Sequence, residues 1–209
     1  GVVFADRFIV RYACPNGHEF EVTLSSEATA PATWECKCGQ TAELIGETEE
    51  DEDNKPKALT EIEVGAIARI TSGYGEIDRV LGGGIVPGAL ILLGGDPGIG
   101  KSTLLLQVSG RIAEESGKVL YASGEESQLQ LKLRAERLHI NSERLQVIAD
   151  TDLDHILEQA DAMTPSLLVI DSIQTMYTGD IDAAPGSVSQ VRECTSRLLR
   201  FCKERNIPT

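Results

Sequence analysis

Aromatic residues make up only 4% of the 209 residues, methionine occurs twice, and basic residues number 19 against 33 acidic ones, a formal net charge of −14. So few rings suit an aliphatic parallel sheet covered by helices better than a sandwich of antiparallel sheets. The acidic balance argues against a broad nucleic-acid footprint on this stretch of chain. No apolar run approaches the ~20 residues needed to span a bilayer. Residues 1–10 carry Asp6 and Arg7 among apolar positions and have no secretory pattern, so a cytoplasmic setting with no membrane partner is expected. Cysteines number five, an odd count that suits a disulfide framework poorly. Three of them cluster near the N-terminus with a histidine, which fits a metal site in a reducing compartment. The hydrophobic fraction of 41% is enough for one α/β core and a small companion module.

The most informative stretch is Gly94-Gly95-Asp96-Pro97-Gly98-Ile99-Gly100-Lys101-Ser102-Thr103, preceded by the apolar run Ala89–Leu93 and followed by Leu104-Leu105-Leu106-Gln107-Val108. The expected order is strand, turn, helix. Gly95, Gly100, Lys101 and Ser102 fit G-x-x-x-x-G-K-[ST], the loop that cradles phosphates. Small residues let backbone N–H groups converge on phosphate oxygens, and the helix N-terminus adds its dipole. The nucleotide-binding set is Gly95, Asp96, Pro97, Gly98, Ile99, Gly100, Lys101, Ser102 and Thr103, with Lys101 on the β/γ-phosphates and Ser102 on Mg²⁺.

Downstream, the pattern alternates. Strands are expected at Lys118–Ser123, Leu145–Ile148 and Ser166–Asp171, and helices at Thr103–Ser116, Ser127–Leu138, Asp152–Met163 and from near Ser187. Asp171 ends a run of apolar residues 69 positions after Ser102, where a carboxylate would hold the Mg²⁺ hydration shell. Glu125 and Glu126 fall at the end of another strand, where the ligand crevice of a parallel sheet lies. Either acid could activate the attacking water while the other opens the next helix. Cys194 and Cys202 lie on the apolar stripe of the last helix and are expected in the core; His139 and His155 receive no role. Ile207–Thr209 reads as the beginning of a strand, and the chain as a fragment.

Residues 1–46 form a small β-module, with a hairpin whose tip carries Cys14 and His18, a possible third strand at 41–45, and Trp34 as the small core. Cys14, His18, Cys36 and Cys38 make a tetrahedral zinc set, and a module this small gains from such a staple. The spacing Cys36-x-Cys38 is tighter than a usual C-x₂-C knuckle, and the competing reading is of free thiols beside an unrelated histidine. Residues 47–60, with six acids between Glu47 and Asp53, read as a solvated linker, and 61–209 as the nucleotide-binding core.

Two resemblances follow. Arg11 to Val22 with Ala28 to Cys36 resembles the central module of RbpA, the RNA polymerase-binding family; its zinc-bearing members have C-x₂-C where this chain has Cys36-x-Cys38. Residues 68–209 resemble the RadA (Sms) family of bacterial DNA-repair ATPases, relatives of RecA. The stretches that carry this are Arg79 to Gly84, Leu93 to Gln107, Ser123 to Ser127, Lys132 to Leu138, Val169 to Thr175 and Ala184 to Thr195. The second resemblance implies a C-terminally truncated RecA-like P-loop ATPase core of α/β class with a mostly parallel sheet, preceded by the small β zinc-ribbon-like module. It implies ATP and Mg²⁺ as bound groups, beside the Zn²⁺ expected from Cys14, His18, Cys36 and Cys38. It also implies single-stranded or branched DNA as partner, a homo-oligomeric ring or filament, and Glu125 with Lys101 as catalytic residues. The loop Gln174–Ser187, where that fold carries a DNA-facing loop, has no Lys or Arg. The RbpA resemblance implies docking on RNA polymerase or a sigma factor instead. A chimeric or designed chain that retains only nucleotide binding is the remaining alternative.

Overall fold

The computed structural model describes residues 7–25, 28–48, 58–61 and 68–209, and the chain divides into two compact units, residues 1–64 and 65–209. Most of the expected acidic linker, residues 49–57, lies outside the described residues.

In the first unit, β1 (Arg7–Ala13) pairs antiparallel with β2 (Glu19–Ser25) and with β4 (Thr41–Thr48), which in turn pairs with β3 (Thr33–Glu35), giving the order β2-β1-β4-β3. Successive side chains alternate faces. Val10 and Tyr12 therefore point inward from the central strand β1 and are fully buried, while Arg11 faces out and pairs with Glu21. The core closes with Cys14, Cys36 and Ala42. Trp34 is not its centre: the indole lies against the Tyr12 ring at 5.7 Å but remains 37% exposed, because the three-residue strand that carries it is at the sheet edge. Among the described residues, five buried side chains with a rim of half-buried ones such as Phe20 and Leu44 make a small core, and a unit of this size gains from a further staple.

The second unit is an α/β layer built on a parallel sheet in the order β6 (Leu145–Ala149), β5 (Val119–Ser123), β7 (Leu167–Asp171). All five residues of β5 are buried, as a central strand covered on both faces requires. Val119 and Tyr121 pack with α2 (Lys101–Glu115) and Leu131 of α3 (Gln128–Arg137). Leu120 and Ala122 pack on the other face, with α4 (Leu153–Met163) and α5 (Val188–Arg205), where Cys194 and Cys202 are fully buried as expected. A short helix α1 (Gly75–Val80) precedes them all.

The run Ala89–Leu93 differs from its expected strand. It carries no regular strand, and its backbone makes two hydrogen bonds to Thr209, Ile91 N–H to the Thr209 carbonyl at 2.8 Å and Thr209 N–H to the Ala89 carbonyl at 2.9 Å. Pro208 in turn accepts from Leu168 N–H of β7, so residues 207–209 lie between β7 and this run.

Candidate nucleotide and metal sites

The phosphate-binding candidate begins in the geometry of residues 94–100, all exposed. Gly98 and Gly100 have φ of 78° and 104°, the left-handed region that a side chain disfavours. The chain turns there into α2, whose N-cap is Gly100; no side chain caps this helix and no acid lies in its first turn. By contrast, α3, α4 and α5 are capped by the side chains of Ser127, Asp152 and Ser187. The amino end of α2 is thus open to an anion on the side of the loop. Lys101 Nζ donates to the carbonyls of Gly95 (2.8 Å) and Asp96 (3.0 Å), which holds the ammonium over the loop.

The parallel register brings the second element to the first. Ser123 of β5 aligns with Asp171 of β7, and Asp171 meets Ser102 in the first turn of α2. Ser102 Oγ donates to Asp171 Oδ1 at 3.1 Å, which leaves hydroxyl lone pairs free for a cation. Tyr121 Oη donates to Asp171 Oδ2 at 2.6 Å and lies 3.5 Å from the Ser102 carbonyl. Burial first, then the hydrogen bond to Asp171, pushes this phenol far above its ordinary range, so it is a permanent donor. A hydroxyl donor aligned with a carboxylate and an uncapped glycine-rich loop is a donor set that fits Mg²⁺ with a phosphate chain.

The two glutamates after β5 separate. Ser172 Oγ donates to Glu125 Oε1 at 3.1 Å, which ties Glu125 to the end of β7. Glu126 is ion-paired with Arg134 of α3. Ser123 Oγ accepts from the N–H groups of both acids. Gly124 has no room for a side chain: a Cβ there would lie 2.1 Å from Thr175 Oγ1.

In the first unit, two turns of the same form face each other. Cys14 N–H bonds to the His18 carbonyl and Gly17 N–H to the Cys14 carbonyl; Cys36 N–H bonds to the Gln40 carbonyl and Gly39 N–H to the Cys36 carbonyl. Gly17 and Gly39 have φ of 80° and 79°. The first turn places its ligands at its two ends, Cys14 and His18; the second places them at its first and third positions, Cys36 and Cys38. The four donor atoms lie within 4.8 Å of one another. A tetrahedron with metal–sulfur bonds of about 2.3 Å has edges of about 3.8 Å. Cys14 Sγ and Cys38 Sγ are 3.8 Å apart, and His18 Nδ1 is 3.5 Å from Cys14 Sγ and 3.7 Å from Cys36 Sγ. The donor set therefore fits zinc with His18 ligating through Nδ1. The Gln40 N–H, then His18, pulls the Cys38 thiol down to about 6. The Cys38 N–H favours the Cys36 thiolate, but burial and the adjacent thiols outweigh it and hold Cys36 above its ordinary value.

Sequence reasoning did not single out Tyr121 or Ser172. For Tyr121 a signal existed: a phenol in the middle of the otherwise apolar strand Val-Leu-Tyr-Ala must find an acceptor. For Ser172 nothing local distinguishes one hydroxyl after a strand from another.

A family model described as AAA domain matches residues 66–209, and one described as RNA polymerase-binding protein matches residues 1–62. DNA repair protein RadA of Bacillus subtilis is 55% identical over 154 residues, covering 74% of this chain and 34% of that protein. RadA of Aquifex aeolicus is 54% identical over 140 residues, covering 67% and 31%. The chain thus spans about a third of the length of these relatives. The crystal structure of a KaiC-like protein from Pyrococcus horikoshii superposes with a TM-score of 0.57 at 22% identity, over 68% of this chain and 70% of that one, and shows a shared fold. Since the glycine-rich loop, Glu125 and Asp171 all fall within the AAA match, and that match takes in most of the sequence, the chain belongs to the AAA domain family.

Proposed function

We propose that residues 65–209 bind Mg·ATP and hydrolyse it as the RecA-like core of a RadA-type DNA-repair ATPase. The observation that carries this reading is the junction of loop and strand end, Ser102 Oγ against Asp171 Oδ1, inside a region about half identical to RadA proteins. In this reading the amides of Gly95 to Thr103 and the Lys101 ammonium bind the β- and γ-phosphates, and Ser102 with Asp171 holds the metal. Ser102 and Asp171 would hold Mg²⁺ there, and the ion would supply positive charge against the negative charge that develops on the phosphate. Glu125, steered by Ser172, takes a proton from the water as its oxygen bonds to the γ-phosphorus and the bond to the β–γ bridging oxygen breaks. Glu126, engaged by Arg134, serves the fold rather than the water. Single-stranded or branched DNA is the polymer, a ring or filament of copies the working assembly, and the cytoplasm the setting. Among the described residues, no helix is long and apolar enough to cross a membrane.

The test is a titration with a fluorescent ATP analogue. Lys101→Ala removes a charged donor worth about 1.5–3 kcal/mol, so affinity should fall roughly ten- to a hundred-fold. Unchanged affinity would overturn the site assignment. Glu125→Gln should retain nucleotide and lose most turnover, measured with and without single-stranded DNA.

The match of residues 1–62 to RNA polymerase-binding protein supports a second role for the first unit, as a zinc-bound dock for RNA polymerase or sigma factor. Pull-down of polymerase by the whole chain, abolished by His18→Ala, is the expected outcome.

A further inference from the structure

We propose that Tyr121 is a positioning residue for the metal site: its hydroxyl holds one oxygen of Asp171 so that the other stays aligned with Ser102. The inference rests on the nucleotide-site reading above.

Asp171 is the last residue of β7, and its carboxylate can rotate about the Cβ–Cγ bond. Two donors stop that rotation, one per oxygen. Ser102 Oγ reaches Oδ1, and Tyr121 Oη reaches Oδ2 at the shorter distance. The two donors come from independent elements. Ser102 lies in the first turn of α2, whereas Tyr121 stands on the central strand beneath it, fully buried and packed in the aliphatic cluster of Leu106, Ile112 and Val169. A ring clamped on all sides cannot follow the carboxylate, so the carboxylate must follow the ring. The same hydroxyl lies 3.5 Å from the Ser102 carbonyl, too long to compete for the proton. Packing alone does not require this oxygen, since a phenylalanine would fill the same space. A buried hydroxyl in an aliphatic cluster is costly without an acceptor, and Asp171 is the one it meets at a strong distance. Tyr121 touches neither nucleotide nor metal in this arrangement and acts through Asp171.

The test compares Tyr121→Phe with the unchanged protein in nucleotide-analogue binding across a range of Mg²⁺ concentrations. The Mg²⁺ midpoint should rise roughly ten-fold or more, the scale of a charge-assisted hydrogen bond, while Mg²⁺-free binding stays the same. Equal midpoints within two-fold would overturn the inference. If the unchanged protein shows no Mg²⁺-dependent binding at all, the nucleotide-site reading itself fails, so the two failures are distinguishable. In the Asp171→Asn background, Tyr121→Phe should shift the midpoint no further; an additive shift would mean a merely structural role. Should Tyr121→Phe not fold, ¹³Cζ-tyrosine spectra of the folded chain provide the reading. The Tyr121 resonance should move on Asp171→Asn, and an unmoved resonance would overturn the inference.

Discussion

Replacing Gly124 by alanine probes how tightly the ends of β5 and β7 are joined. The N–H of Gly124 bonds to the Asp171 carbonyl at 3.0 Å, extending the β5–β7 register one residue past the strands, with Glu125 next in sequence. An added Cβ would meet Thr175 Oγ1 at 2.1 Å, Thr175 Cβ at 2.7 Å and Thr151 Cγ2 at 3.0 Å. Thr175 cannot simply swing aside, because its hydroxyl donates to the Ser172 carbonyl at 2.8 Å. Overpacking of this kind costs about 1–3 kcal/mol. Loss of the Thr175 hydrogen bond adds about 1 kcal/mol. The reduced freedom of an unfolded chain with alanine returns about 0.4–1 kcal/mol. The net is a destabilisation of about 2 kcal/mol, or a fall in Tm of roughly 4–8 °C for a unit of this size. Urea unfolding followed by circular dichroism measures it directly. Thr175→Ala in the G124A background should recover part of the loss by removing the nearest atom. A G124A protein as stable as the parent, or a double variant less stable than G124A, would refute the claim that this glycine is required by close approach. If the strand ends part, Ser172 and Glu125 part with them, and turnover should fall more than nucleotide affinity.

Elemental analysis should find one zinc per chain, and Cys38→Ser should reduce it strongly; clearly less than one in the parent would refute the tetrahedral site. The pair Asp150–His155, 2.6 Å apart, should titrate out of place. The Asp150 hydrogen bond holds His155 above its ordinary 6.5, against the effect of burial. Burial alone would raise Asp150, but hydrogen bonds from His155 and the N–H groups of Asp152 and Thr151 hold it below its ordinary 3.8. The stabilisation is therefore fullest between those two ordinary values. It fades as pH rises through the raised histidine value, and also as pH falls through the lowered aspartate value. NMR titration should show His155 returning toward its ordinary value in Asp150→Asn; an unmoved midpoint would discount the pair. Gln190, fully buried, donates to the carbonyls of Thr178, Ile181 and Ala183 and accepts from Thr178 N–H, each at 3.1 Å. Gln190→Leu strands those groups and should cost at least about 2 kcal/mol, with faster hydrogen exchange across residues 176–183; unchanged exchange would count against it.

The glycine-rich loop, the apolar strands ending at Ser123 and Asp171, and the cluster Cys14, His18, Cys36 and Cys38 were legible in the sequence. Each is a local pattern: residue types at a fixed spacing that one turn or one strand can use. The run Ala89–Leu93 was legible as apolar, but not the backbone it pairs with. Apolarity predicts burial, whereas pairing depends on which distant backbone lies alongside, here that of Thr209. The likeness of the two cysteine-bearing turns was hidden for a related reason. Their hydrogen bonds match, but the ligands sit at different positions within them, so the Cys36-x-Cys38 spacing reads as irregular until the turns are superposed.

By itself the sequence determined that a glycine-rich loop of phosphate-binding pattern, two strand-end acids and a cluster of candidate metal ligands exist, because these follow from residue types and short spacings. Tertiary structure alone decided which of the two glutamates faces the end of β7, since Ser172 lies 47 residues from Glu125 and Arg134 claims Glu126. It also decided that Tyr121 reaches Asp171 across 50 residues, because parallel register and the packing of α2 over β5 set that distance, and neither is encoded in any one stretch of chain.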